Sequence, residues 1–217
     1  MSKHHIKQLI QNSLSFNDVN NDENYTLGLI ETGIKGVQLF KVTHAMRCAP
    51  AVYEPCIVAI VSGAKEAILD GKHFIYDENN YMCCPMSMPV EAGTPTASPE
   101  NPLLGVIVSL DTKVMTELSI TMAAQGVKKH ASGPKTQGLT LAAWDDSFTD
   151  SLLRLLQLVG NPVDIAVLGE GRLRELYYAI LNGQAGSSVH QAFGVGNDIA
   201  RSIDYLASRL DESITID

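Results

Sequence analysis

Met82-Cys83-Cys84-Pro85-Met86-Ser87-Met88 places five sulfur-bearing side chains within seven residues. Thioethers and thiols are soft and adaptable, so such a run either fills gaps in a core or lines a pocket, and an ionised thiol in it would attack an electrophile. Cys83, Cys84 and Met86 are therefore candidate ligand-binding positions. Tyr53-Glu54-Pro55-Cys56 leads into the most apolar run of the chain. There Tyr53, Glu54 and Cys56 can stand at the mouth of a small barrel, or the segment can be a turn with Glu54 in water. His73, beside a hairpin turn, and Glu91, after the sulfur-rich run, complete the ligand-binding candidates.

Other chemistries need spacings that are missing. His4 and His5 lie near the N-terminus, and His44, His73, His130 and His190 are scattered singly, without the H-x-H pair of a metal-binding barrel. There is no G-x-S-x-G elbow. Gly194-Val195-Gly196 lacks the preceding strand and third glycine of a dinucleotide loop and reads as a linker. Cys48, Cys56, Cys83 and Cys84 form no C-x-x-C pair and are expected as free thiols. No catalytic residue, metal or cofactor is expected.

The elements that must position these residues fall into two halves. Val37–Val42 alternates apolar and polar residues, whereas Cys56–Val61 is apolar on both parities, as in a strand covered on both faces. Lys65–Leu69 and Lys72–Tyr76 flank Asp70-Gly71, a hairpin signal for a turn with two positive φ angles. Tyr81–Cys84, Pro89–Ala92 and Leu103–Leu110 supply further strands. After Asp111 the period changes to about 3.6 residues. Asp111-Thr112 caps a helix to about Gln125, Asp145, Asp146 and Ser147 cap a second, and Pro162 opens a third that Gly169 and Gly171 are expected to break. A final helix is capped by Asn197 and carries Ile199, Ile203, Leu206 and Leu210 on one face.

The chain has 217 residues and a formal net charge of -8, so its field repels a polyanion on average. Lys128, Lys129, His130 and Lys135, its local basic cluster, sit among Gly and Ser and read as a solvated loop. No apolar run reaches the length that spans a bilayer, nor is there a secretory leader, and a cytoplasmic location is expected.

The segment Ile199-Ala200-Arg201-Ser202-Ile203-Asp204-Tyr205-Leu206, continuing through Asp211 to Asp217, resembles the first helix of AraC-type DNA-binding domains and the start of the second. Upstream, Glu31-Thr32-Gly33-Ile34, Tyr53-Glu54-Pro55-Cys56-Ile57, Ser62-Gly63-Ala64-Lys65, Phe74-Ile75-Tyr76-Asp77, Asn80-Tyr81 and Ala97-Ser98-Pro99-Glu100-Asn101-Pro102 resemble, in order, the N-terminal domain of one AraC-regulator subfamily. The resemblance implies a cupin-like barrel that senses a small-molecule effector, a helical dimerisation surface, and a helix-turn-helix domain of which only the start is present.

The fold expected is α+β: a cupin-like antiparallel β-barrel or jelly roll followed by a C-terminal helical segment. Its parts are a loosely attached N-terminal arm (1–25), the barrel (26–111), a helical dimerisation region (112–194) and the start of the truncated helix-turn-helix domain (195–217). A homodimer is expected through Leu152, Leu155, Leu156, Val159, Arg172 and Tyr177, although these can equally pack against the barrel. DNA would be met only through the missing domain. A cupin-like metal-dependent enzyme and a ligand-free dimerisation module are the alternatives.

Overall fold

The computed structural model describes residues 2–17, 28–125 and 138–194, with side chains in the first segment to Leu14. The expected helix from Asn197 and the Lys128–Lys135 cluster lie outside the described residues. In chain order the elements are α1 (Ser2–Asn17), β1 (Gly28–Glu31), β2 (Val37–Val42), β3 (Met46–Tyr53), β4 (Cys56–Ser62) and β5 (Lys65–Leu69). Next come β6 (Lys72–Tyr76), β7 (Asn80–Cys84), β8 (Met88–Thr94), β9 (Leu103–Ser109), α2 (Thr112–Ala124) and β10 (Thr140–Ala143). The chain continues through α3 (Asp146–Leu156), α4 (Pro162–Asn182) and α5 (Gly186–Phe193).

Antiparallel pairing builds a six-stranded sheet, β1-β2-β9-β4-β7-β10, and a four-stranded sheet, β3-β8-β5-β6. One apolar cluster fills the space between them, with Phe40, Val58, Ile60, Met82, Val90 and Leu103. A second joins the other face of the six-stranded sheet to the helices. β4 shows why its run is apolar throughout: Cys56, Val58 and Ile60 face between the sheets, while Ile57, Ala59 and Val61 meet the helical layer. Gly105 on β9 is required by this packing, because a Cβ there would lie 2.5 Å from both the Ala59 carbonyl oxygen and the Phe40 ring. At the expected hairpin turn, Asp70 and Gly71 adopt φ of 51° and 74°.

Helix starts follow their caps. Asp111 accepts from the Val114 N–H, Asp145 from Phe148, and Asn161 from Val163 and Asp164 ahead of Pro162. α4 runs unbroken through Gly169 and Gly171, where a break was expected. Each glycine costs about 1 kcal/mol in a helix interior, less than α4 gains by burying Leu176, Tyr177, Ile180 and Leu181. Arg154 of α3 also clamps Glu175 of α4 through two hydrogen bonds of 2.6 and 3.2 Å.

The N-terminal segment is not the loose arm expected. Ile6, Ile10 and Leu14 recur every fourth residue on one face of α1 and are buried against α3 and the six-stranded sheet. Three strands carried no clear sequence signal. β1 and β10 have four residues each, and β10 lies within the stretch read as helical. β3 contains Pro50, tolerated because β3 is an edge strand. No helix among the described residues is long and apolar enough to cross a membrane.

Candidate functional site

The strand alternation gathers a polar group at one end of the space between the sheets. β3 ends on Tyr53, β4 begins with Cys56, β7 ends on Cys84, β6 ends on Tyr76 and β5 begins with Lys65. The Tyr53 and Tyr76 hydroxyls are 3.0 Å apart and share a hydrogen bond. Cys56 and Cys84 are directly opposed across the β4–β7 ladder. The Cys84 thiol donates to the Met86 carbonyl at 3.0 Å. The Lys65 ammonium lies 5.3 Å from the centroid of the Tyr53 ring, within cation–π range.

Burial sets the charge state of this group. It pushes the Tyr53 phenol and the Cys56 thiol up to about 12. The Cys84 thiol rises to about 11, burial outweighing the Met86 carbonyl contact. Tyr76 is raised well above the ordinary phenol value by the same desolvation. All four are protonated at neutral pH, so they are hydrogen-bonding groups rather than nucleophiles. Desolvation moves Lys65 the other way, downward from the ordinary lysine value.

Of the residues expected at a ligand site, Tyr53, Cys56 and Cys84 come together here, with partly buried Met86 beside them. Glu54 lies exposed at the rim, where it accepts from the Ser87 hydroxyl. Three expectations are corrected. Cys83 faces the helical layer, because neighbours on a strand point to opposite sides, and it too is raised by burial. His73 and Glu91 are exposed on the outward positions of β6 and β8. His73 there contacts Glu66 at 2.5 Å and holds that carboxyl below the usual range. Lys65 and Tyr76 were missed as site residues. Lys65 had a signal in its register, since it shares a strand face with Ala67 and Leu69.

Four of the expected dimer contacts, the three leucines and Tyr177, are also corrected, whereas Val159 and Arg172 remain partly exposed. Leu152, Leu155, Leu156 and Tyr177 are buried in the core of the chain itself, Val159 packs against it, and Arg172 pairs with Glu175 at 3.0 Å. An amphipathic stripe cannot say whether its partner is its own sheet or a second subunit. The apolar side chains that α4 leaves exposed are Val163, Val167, Leu168 and Tyr178.

A pocket of about 350 Å³ lies elsewhere, between α1 and the sheet, lined by Lys3, His4, Lys7, Glu78, Asn79 and Trp144 among others. Lys3 donates to the Glu78 carbonyl at 2.9 Å and lies 5.0 Å from the Trp144 ring centroid. Among the described residues no group of three or more His, Cys, Asp or Glu could hold a metal ion.

Residues 33–188, spanning both sheets and most of the helical layer, match the family described as the AraC-type transcriptional regulator N-terminus. The chain belongs to this family. No curated protein sequence matches it. An apo ToxT variant from Vibrio cholerae aligns over 83% of this chain and 68% of its own, at 9% identity and a TM-score of 0.53. At that identity the likeness shows the fold alone, an AraC-type N-terminal β-sandwich with its helices. ToxT from Vibrio cholerae bound to (E)-4-(8-methylnaphthalen-1-yl)but-3-enoic acid aligns over 88% of this chain and 68% of its own, at 12% identity and a TM-score of 0.47. For an AraC-type N-terminal domain the role is regulatory, and the interior polar group is its candidate functional site.

Proposed function

We propose that this AraC-type domain binds a small-molecule effector between its two sheets, dimerises through α4, and passes its ligand state to a helix-turn-helix unit that meets DNA. The observation that carries the reading is the polar group formed by Tyr53, Tyr76, Cys56, Cys84 and Lys65 in an otherwise apolar interior. The two hydroxyls satisfy each other, whereas the partly buried Lys65 ammonium, held over the Tyr53 ring, costs free energy that a bound partner would offset. A site of apolar walls with a few convergent polar groups is the usual composition of a small-molecule pocket. The net charge of -8 supports leaving phosphate contacts to another domain. The exposed apolar side chains of α4 supply a face suited to a second copy.

The test is a thermal-shift screen of small organic acids, alcohols, amides and aromatics, with hydrogen exchange on every compound that raises the Tm. Slowed exchange in β4, β5 and β7 is expected. Protection confined to α1 and the Trp144 pocket moves the effector site out of the sandwich.

A further inference from the structure

The first two turns of α1 concentrate positive charge where a helix disfavours it. Lys3, His4, His5 and Lys7 occupy them, the first turn holds no acidic residue, and the positive end of the helix dipole lies there. Lys3 and Lys7 stand one turn apart on a common face, a spacing at which like charges destabilise a helix. Both line the pocket of about 350 Å³ between α1 and the sheet, with His4, Val61, Glu78 and Trp144. Lys3 has partners there, the Glu78 carbonyl at 2.9 Å and the Trp144 ring. Lys7 has none: among the described residues this half-buried lysine forms no hydrogen bond or ion pair. The nearby carboxylates leave it so. Asp150 accepts from the Ser2 hydroxyl at 3.1 Å, and the exposed Glu78 side chain pairs with neither lysine among the described residues.

We propose that this pocket is a second ligand site, separate from the space between the sheets, and that it takes a phosphomonoester. The phosphate is held by Lys3 and Lys7, and the organic body lies against Trp144 and Val61. A phosphomonoester carries about 1.5 to 2 negative charges at neutral pH, which two ammoniums compensate, whereas a carboxylate answers one of them. Lysines bind phosphate as point charges, and the three donors of Lys3 leave two beyond the one given to the Glu78 carbonyl. Free phosphate would fill part of a space whose volume falls in the range of small-molecule pockets. A nucleic-acid backbone is disfavoured by Glu78 in the lining, Asp150 beside Ser2 and the net charge of -8. The lining joins α1 to β4, to Glu78 and Asn79 ahead of β7, and to Trp144 after β10, so a bound ester pins the helix to the sheet.

Calorimetry on the full 217-residue chain, and on K3Q and K7Q, compares phenyl phosphate with phenyl sulfate, benzoate and inorganic phosphate. Phenyl phosphate is expected to bind at least about tenfold more tightly than the singly charged phenyl sulfate and benzoate, one further charge pair being worth roughly that factor. It is also expected to outbind inorganic phosphate. Each variant is expected to remove the preference for the phosphate ester. Because either change relieves the repulsion between Lys3 and Lys7, the ligand-free Tm of K7Q is expected at or above that of the parent chain, which guards against reading misfolding as lost binding. Hydrogen exchange with phenyl phosphate bound should slow in α1 and stay unchanged in β5. Equal affinity for the phosphate and sulfate esters, variants that keep the preference, or protection in β5 overturns the site at Lys3 and Lys7. Inorganic phosphate binding as tightly as its phenyl ester overturns the organic body and reduces the site to one for the free anion. If no phosphate compound binds, the proposal falls and the sandwich reading stands, since that reading uses none of these residues.

Discussion

The Tyr177 phenol on α4 donates to the Ser109 carbonyl at the end of β9 at 2.5 Å and accepts from the Asp111 N–H at 3.2 Å. One side chain thus ties the longest helix to the point where the central strand gives way to α2. Burial pushes this phenol up to about 12, so it keeps its proton across the physiological range. Tyr177→Phe keeps the buried ring and orphans both backbone groups. The expected cost is about 1–3 kcal/mol in urea unfolding. A loss in subunit association with unchanged stability would return Tyr177 to an interface.

The helical layer divides cleanly between core and surface. Leu155 is fully buried, whereas Val167 is 73% exposed. Leu155→Ala is expected to lower stability by about 2–5 kcal/mol through the cavity it leaves. Val167→Glu is expected to stay within about 0.5 kcal/mol of the parent chain, yet to weaken self-association in sedimentation equilibrium. If the glutamate leaves the association constant unchanged, the dimer face is not on α4.

Thiol reactivity should follow exposure rather than clustering. Cys56, Cys83 and Cys84 are buried, whereas Cys48 is half-buried and donates to Glu66 at 3.5 Å. All four thiols are raised above the ordinary cysteine value by burial, so thiolate is scarce near pH 7 in each. Labelling the native chain with a maleimide at pH 7 is expected to modify Cys48 first, and the other three at the rate of unfolding. Fast labelling of Cys84 in the native state, read by mass spectrometry, would restore it as a reactive sensor thiol.

Acid should loosen the contact between α3 and α4. The Glu175 carboxyl is held below the ordinary glutamate value of 4.5, chiefly by hydrogen bonds from Arg154 and further by Arg172. A carboxylate with a depressed folded-state pKa contributes its stability in full above the unfolded value, and loses it as the pH falls through the folded one. The Tm of the parent chain is therefore expected to drop below about pH 4.5. Glu175→Gln should start lower and respond less steeply over that window. Parallel curves for the two proteins would remove this pair from the acid response. With the side chain more than a third exposed, the effect is modest.

Local rules were enough wherever the determinant is local. The hairpin at Asp70-Gly71, the helix starts at Asp111, Asp145 and Asn161, and the doubly apolar β4 were legible because turn dihedrals, caps and strand period act over a few residues. β10 was not, since Thr140–Ala143 becomes a strand only by pairing with β7, some sixty positions earlier. The docking of α1 was not legible either, because the surface that buries Ile6, Ile10 and Leu14 is assembled from α3 and the six-stranded sheet, distant in the chain.

For the site, the sequence by itself determined the chemistry available: soft sulfur groups, tyrosines and a lysine on short strands, without the spacing of a metal or nucleophile centre. Only the tertiary structure decided which of them meet. Strand parity sent Cys84 inward and Cys83 to the helices, and turned His73 and Glu91 outward. Sheet packing brought Tyr53, Tyr76 and Lys65 together from three strands. Likewise, the leucines of α3 found their partner in the chain's own six-stranded sheet. A side chain's type is fixed one residue at a time, whereas the face it occupies and the groups it touches depend on pairing between distant segments.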